Sequence, residues 1–176
     1  MSRVYIAAPI FRPGHLAVVA KITALLKMHE LDYFSPYEAS RGVWQGRAPV
    51  DCTQAERDEV LGGNIENLHT CDILLAWTGG HIHPMQGTDT GVVWEMGYFK
   101  ALNEPMRNRN FTLAYIHPND IKQRMNLMLA GTVDAVAYGQ SELSQALALL
   151  KLEKTVTCKV EFNPIKRFLH EKDTIS

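Results

Sequence analysis

The sequence predicts a single-domain α/β fold with a doubly wound, flavodoxin-like or Rossmann-like parallel sheet of five strands. Three observations lead to this prediction. Short β-rich segments alternate with helical patterns along the chain. Residues 72–77 (DILLAW) are apolar almost throughout, which is typical of a central strand covered on both faces. The chain has 176 residues, 46% of them hydrophobic, which suits one domain with one sizeable core.

The first three elements are a strand, a helix and a short strand. Residues 3–8 are β-rich and run into a proline, which ends a strand. The apolar residues of 13–30 recur on one helical side, so a helix is expected there. Residues 32–34 are predicted to form a second strand.

A loop and a second helix are expected next. Residues 37–50 contain Gly42 and Pro49 and show no periodicity, so this segment is predicted to be a loop. Thr53 and Glu56 have the spacing of a capping box, which predicts a helix that begins at Thr53.

The rest of the chain continues the alternation. Further strands are predicted at 72–77, 111–116 and 133–137, and further helices at 91–102, 121–130 and 141–150. Residues 1–150 are therefore expected to form the α/β domain. Residues 151–176 are expected to be a C-terminal extension that packs on the domain or on a neighbouring subunit, with 155–162 as an edge strand or an arm.

Composition restricts the class of partner. The formal net charge is -1, so no basic field draws the chain to nucleic acid or to an anionic membrane. Three cysteines without a CxxC pair fit a reducing compartment better than a disulfide framework. The N-terminus lacks signal-peptide features and no stretch is long enough to span a membrane. A cytoplasmic protein with a small-molecule ligand or a protein partner is expected.

Three residues are candidates for chemistry at the carboxyl ends of the strands, where ligands bind in such sheets. Glu95 is the one charge in the apolar helical run 91–99; it either reaches solvent or an ion pair, or is a functional carboxylate with a perturbed pKa. Asp89 either caps this helix or points into the crevice, beside Gly91, which allows close approach of a ligand. Tyr5 is either a packing residue or a hydrogen-bond donor to Glu95.

Cofactors and metals have little support. His81 and His83 form an H-x-H pattern, but no fitting set of further ligands accompanies them. The sequence has neither GxxxxGK nor GxGxxG, which argues against ATP and NAD. Neither a cofactor nor a metal is therefore expected.

Residues 89–99 (DTGVVWEMGYF) resemble the active-site segment of the nucleoside 2-deoxyribosyltransferase family. Residues 4–11 (VYIAAPIF) are similar to the first strand and turn of that family, 72–75 (DILL) to its third strand, and 125–128 (MNLM) to its N-L-M segment. The resemblance covers about residues 3–150, with the segments in the same order.

The resemblance implies a catalytic role for three side chains. Glu95 is the nucleophile that attacks the anomeric carbon, expels the base and forms a covalent deoxyribosyl-enzyme, from which a second base takes the sugar. Tyr5 orients Glu95. Asp89 binds substrate near the sugar and base and helps to protonate the leaving base.

The resemblance also implies binding roles. Phe11 and Gln45 line the base pocket, while Asn126 reaches a neighbouring subunit's site and contacts the sugar 5′-hydroxyl, with Met128 beside it. The family's members are oligomers, often hexamers of paired subunits with shared sites. Asn64 stands where the family usually has Asp, so it binds a base but cannot act as a carboxylate. The chain also lacks the aromatic C-terminus common in the family and ends at Ser176.

Two other functions remain open. One is hydrolysis of 2-deoxynucleoside 5′-monophosphates; enzymes of that type carry Ser- and Arg-rich phosphate contacts, whereas the first turn here has Arg12 as its one basic candidate. The other is a non-catalytic nucleotide-sensing module on the same fold.

Overall fold

The computed structural model describes residues 2–10, 13–44, 47, 49–79, 89–102, 111–118 and 131–152. A five-stranded sheet lies at the centre, and every pair of neighbouring strands is parallel. Its strand order is β2-β1-β3-β4-β5. The strands are β1 (Arg3–Ala7), β2 (Asp32–Phe34), β3 (Ile73–Trp77), β4 (Phe111–Ile116) and β5 (Ala135–Tyr138).

Helices cover both faces of this sheet, which confirms the predicted doubly wound α/β class. They are α1 (Pro13–Met28), α2 (Pro36–Trp44), α3 (Gln54–Thr70), α4 (Thr90–Ala101) and α5 (Gly139–Leu152), with a short 3₁₀ turn at Pro49–Asp51. Side chains of β1 alternate between the faces: Val4 and Ile6 pack towards α1 and α5, whereas Tyr5 and Ala7 pack towards α3 and α4. All five residues of β3 are buried because both of its faces are covered.

The element boundaries follow the sequence closely at most positions. The predicted strand 32–34 and strand 111–116 are confirmed at both ends, and β1, α1 and β3 differ by no more than two residues from their predicted bounds. The capping box is confirmed: the Thr53 side chain accepts from the Glu56 backbone N–H, and the Glu56 side chain accepts from the Thr53 backbone N–H. The tight turn into α5 uses Gly139, whose φ of +76° suits a residue without a side chain.

The prediction of a loop at 37–50 is wrong for its first part, because α2 occupies Pro36–Trp44. The backbone N–H of Glu38 donates to Ser35 Oγ at 3.4 Å, and Pro36 occupies the first helical position, where its fixed φ is favourable. Ser35 and Glu38 have the same spacing as Thr53 and Glu56. This capping pattern indicates the start of α2, although the segment shows no helical periodicity.

The helix α4 is apolar nearly all round, but it is buried on one side only. Its buried residues are Val92, Met96 and Phe99, which form one stripe at helical spacing. On the opposite side Trp94 is 46% exposed and its ring stacks on Tyr98 at 5.0 Å. One face of the sheet covers only one side of a helix, so the remaining apolar residues of α4 stay at the surface of the single chain.

The remaining predictions at the end of the chain are met in part. β5 and α5 are present, and α5 begins before residue 141 and extends to Leu152. The predicted helix at 121–130 and the extension from 153 onward lie outside the described residues. Within the described ranges, none of the helices combines the length and the apolar character that crossing a membrane requires.

Candidate active site

The crevice expected in this fold lies where the strand order reverses, at the carboxyl ends of β1 and β3. The chain leaves β1 towards α1 on one face and leaves β3 towards α4 on the other. The first turn of α4 therefore starts beside the carboxyl end of β1, and side chains of both elements meet under this edge of the sheet. The connecting residues 11–12 and 80–88 lie outside the described part of the chain.

Tyr5 and Glu95 form the central contact of the site. Tyr5 lies in the middle of β1 with its side chain on the α4 face, and it is fully buried. Its hydroxyl donates to Glu95 Oε1 at 2.7 Å. Glu95 lies on the second turn of α4, next to the buried stripe that holds this helix on the sheet. The hypothesis that Tyr5 bonds Glu95, rather than serving packing alone, is therefore met by the geometry.

The electrostatics of this pair favour a carboxyl group that changes its charge near neutral pH. Burial raises the pKa of Glu95 to about 7, the hydrogen bond from Tyr5 opposes that rise, and the negative charge of Asp89 adds to it. Burial and the neighbouring Glu95 raise the pKa of Tyr5 well above its ordinary value. Tyr5 therefore keeps its proton and remains a donor to the carboxylate.

Asp89 is the N-cap of α4. Its Oδ1 accepts from the backbone N–H of Gly91 at 2.9 Å and of Val92 at 3.3 Å. A Cβ at position 91 would lie 3.1 Å from that oxygen, so the glycine leaves room for the cap. Among the described residues these bonds use Oδ1, and Oδ2 stays available to a ligand.

Phe34 is a neighbour of this pair that the sequence did not single out. It ends β2 and is the register partner of Tyr5 in the β1–β2 pairing. The two rings lie 5.4 Å apart at 34°, within the range of favourable aromatic contacts. The signal was an aromatic residue at the carboxyl end of a strand, but the pairing register is needed to connect it with Tyr5.

The other predicted site residues are divided between described and undescribed parts of the chain. Asn64 lies on α3 and is half-buried, and the described contacts do not join it to the Tyr5–Glu95 pair. The remaining four binding residues lie outside the described residues, as do the two histidines of the H-x-H pattern: Phe11, Gln45, Asn126, Met128, His81 and His83.

Other buried side chains in or next to the strands have packing roles. Trp77 is buried at the end of β3, with the rings of His15 and His117 at its edge. Cys71 is buried on the α4 face, and burial raises the pKa of its thiol to about 12. Within the described ranges no three His, Cys, Asp or Glu side chains come together as a possible metal site.

Comparison with known proteins identifies the family of this chain. The family described as "Nucleoside 2-deoxyribosyltransferase" matches residues 4–128, which is more than half of the chain and includes Tyr5, Asp89 and Glu95. No curated protein matches.

Two solved structures are similar to this chain. A 2-deoxyribosyltransferase from the bacterium Bacillus psychrosaccharolyticus superposes with a TM-score of 0.62 at 21% identity, over 84% of this chain and 90% of that chain. A 2-deoxyribosyltransferase from Leishmania mexicana gives a TM-score of 0.46 at 20% identity, over 73% and 77% of the two chains. The fold is shared with the bacterial structure, and from the match over residues 4–128 the chain belongs to the nucleoside 2-deoxyribosyltransferase family.

Proposed function

We propose that this protein transfers 2-deoxyribose between nucleobases through a covalent intermediate on Glu95. The observation that carries the proposal is the hydrogen bond of 2.7 Å from the Tyr5 hydroxyl to Glu95 Oε1, in a chain of this family. A half-buried carboxylate at the carboxyl edge of a parallel sheet, held by a donor that keeps its proton, suits attack on an electrophilic carbon.

The first half-reaction breaks the bond between the base and the sugar. Glu95 Oε2, which Tyr5 does not engage, attacks the anomeric carbon as the carbon–nitrogen bond breaks, and the electron pair of that bond goes to the base. Asp89 or water supplies the proton that the departing base takes up. Glu95 must be ionised to attack, and because burial raises its pKa to about 7, the reaction should accelerate as pH rises through neutrality.

The second half-reaction reverses the first with a different acceptor. A nitrogen of the incoming base attacks the anomeric carbon, expels the Glu95 carboxylate and loses its proton. Two inversions give retention of configuration, as in retaining glycosidases. Water in place of the second base gives hydrolysis as a side reaction.

Other residues contribute binding in this proposal. Asp89 holds the substrate near the sugar and base with Oδ2 while Oδ1 caps α4, and Gly91 lets the ligand approach the backbone. Asn64 binds the base by hydrogen bonding. The remaining assignments come from the family resemblance: the base pocket (Phe11, Gln45) and the sugar 5′-hydroxyl (Asn126, Met128).

The proposal extends to the setting of the enzyme. Deoxynucleosides and free nucleobases are its small-molecule partners, and it needs no cofactor. It works as a homo-oligomer built from dimers, with a hexamer as the larger form, in which Asn126 completes a neighbouring site. The extension 151–176 packs on the domain or on that neighbour, and the enzyme serves nucleotide salvage or modification in the cytoplasm.

One assay separates this function from its alternatives. Deoxyinosine with adenine, and then deoxyadenosine monophosphate alone, are incubated with the protein, and products are followed by chromatography. New deoxyadenosine supports transfer, adenine with sugar phosphate supports a nucleotide hydrolase, and no turnover supports a nucleotide-sensing module.

The variant Glu95→Gln tests the nucleophile. It keeps an oxygen that accepts from Tyr5 but lacks the charge for attack, so transfer should fall by a factor of about 10⁴ or more, as for other covalent catalysts that lose their nucleophile. Glu66→Gln, at an exposed glutamate of α3, is the matched control and should keep normal turnover. Transfer at the normal rate by Glu95→Gln would show that the intermediate lies elsewhere.

A further inference from the structure

The Tyr5 ring lies between two neighbours in register with it. Leu74 of β3 pairs with Tyr5 on one side, and Phe34 of β2 pairs with it on the other. All three side chains lie on the α4 face of the sheet. Leu74 is fully buried, whereas Phe34 is half-buried, because β2 is the last strand at this edge. Of the two side chains that flank Tyr5, Phe34 is therefore the one that lies between Tyr5 and solvent.

The contact restrains the direction of the Tyr5 hydroxyl. A phenol ring rotates about two side-chain bonds, and a flat neighbour at 5.4 Å limits that rotation. The guanidinium of Arg3 lies 5.9 Å from the Phe34 ring centroid and restrains Phe34 in turn. A hydrogen bond of 2.7 Å to a carboxylate depends on this direction, because such bonds weaken steeply when the donor turns away.

We propose that Phe34 is a positioning residue: its ring holds the Tyr5 hydroxyl on Glu95 Oε1 while the sugar binds, reacts and leaves. The proposal deepens the proposed function, since it concerns the nucleophile of the same site. Phe34 touches Tyr5 and not the reacting atoms, so its effect should pass entirely through Tyr5.

Among the described residues, few titratable or charged groups act on Glu95, Tyr5 and Phe34. Tyr5 from β1 and Asp89 from the start of α4 act on Glu95. Cys71, at the end of α3, acts on Tyr5. Arg3 lies over Phe34. None of these is removed by a change at Phe34, so the hydrogen bond from Tyr5 is the interaction that such a change should alter.

The test is the titration of the Glu95 carboxyl, followed by carbon-13 NMR and assigned with Glu95→Gln. In Phe34→Leu the apolar bulk remains, so Glu95 stays buried, but the flat support of the Tyr5 ring is lost. The midpoint of about 7 should therefore move upward, in the direction that Tyr5→Phe moves it, because the hydrogen bond favours the charged form. Phe34→Tyr keeps an aromatic ring at this position, so its Glu95 midpoint should stay near the wild-type value. Phe34→Met serves if the leucine variant does not fold.

Activity gives a second readout. Phe34→Leu should lower kcat about tenfold and change KM little, the result expected of a reacting group turned slightly away. Tyr33→Leu is the matched control: Tyr33 is also half-buried on β2 but faces the opposite side of the sheet, and both its titration and its kcat should be normal.

A double-mutant cycle decides how Phe34 acts. In a Tyr5→Phe background Phe34→Leu should shift the Glu95 titration no further, because the group it positions is gone. An unchanged midpoint in Phe34→Leu, or a full additional shift in the double variant, would overturn the proposal. The titration needs no turnover, so it still decides the role of Phe34 if the protein proves to transfer no deoxyribose.

Discussion

Burial raises the pKa of Glu95 to about 7, from an ordinary value of 4.5, so the folded protein favours the protonated carboxyl. Below pH 4.5 the folded and unfolded chains both hold the proton, and Glu95 has no effect on stability. Between about pH 4.5 and 7 the unfolded chain ionises first, so the free energy of unfolding falls. Above pH 7 both chains are ionised, and the free energy of unfolding stays at this lower value. The ionised form of Glu95, which the proposed reaction requires, therefore lowers the stability of the fold.

Glu95→Gln should consequently stabilise the protein at alkaline pH. At pH 8 we expect its free energy of unfolding to exceed that of the wild type by about 3 kcal/mol, and near pH 4 the two should agree. Urea denaturation at both pH values measures this difference. In the control Glu66→Gln the difference from the wild type should be the same at both. Equal stability of Glu95→Gln and the wild type at pH 8 would contradict the raised pKa.

For individual residues, the sequence predicts Glu95 and its hydrogen-bond donor Tyr5 better than it predicts the residues around them. Glu95 stands alone in an apolar run, and a lone charge there must be satisfied, which made Tyr5 a reasonable partner. Phe34 offered no such local signal. Its contact with Tyr5 depends on the register of a three-residue strand against β1, a pairing between distant parts of the chain.

The element that presents Glu95 is α4. Asp89 caps the start of this helix and adds to the rise that burial causes in the pKa of Glu95. The carboxylate satisfies two backbone N–H groups of the first turn, and its negative charge also raises the pKa of Glu95 six residues later. Capping needs only an oxygen acceptor, whereas the effect on Glu95 needs the charge. The two roles can therefore be separated by substitution.

Asp89→Asn keeps the acceptor and removes the charge, so the stability should change little while the Glu95 titration moves to lower pH. Asp89→Ala removes both and should also cost about 1 kcal/mol of stability. Thermal unfolding and the carboxyl titration measure the two effects. Thr53→Ala, which removes the cap of α3, is the control: it should lose similar stability and leave Glu95 unaffected. An unmoved titration in Asp89→Asn would exclude the charge effect.

The helices differ in how well the sequence predicts them. α1 and α3 were predicted because they are long and either periodic or clearly capped. α2 has nine residues and contains Gly42, so periodicity had too few turns in which to emerge. For α4 an apolar composition overstates burial: Gly97 counts as apolar but is exposed, and Trp94 lies on the side away from the sheet.

In the described part of the molecule, one sheet separates two hydrophobic cores. Adjacent residues of the central strand belong to different cores: Leu74 packs with Tyr5 and Met96, and Leu75 packs with the side chains of α1 and α5. Parallel strands and helices on both faces were predictable from the alternation of patterns. The strand order and register were not, because they arise from crossovers between segments far apart in sequence.

Truncation of Leu74 or Leu75 tests whether the two cores are independent. Leu74 and Leu75 are both 0% exposed, so Leu74→Ala and Leu75→Ala should each lower the free energy of unfolding by about 3 kcal/mol. The cavity left by Leu74 opens beside Tyr5, so kcat of that variant should fall, whereas the Leu75 variant should keep its kcat under conditions where both are folded. Urea denaturation and transfer assays measure these values. Equal loss of kcat in both would mean that the two cores are coupled.

Tyr5 and Glu95 are separated by 90 positions in the chain. A chain synthesised at 5 to 20 residues per second exposes Tyr5 roughly 5 to 20 seconds before Glu95 is made. Even then, the contact forms only after the loop between them has closed, which delays it relative to local structure. During translation the incomplete polypeptide therefore lacks the Tyr5–Glu95 contact on which the proposed reaction depends, and the contact arises only with the finished sheet.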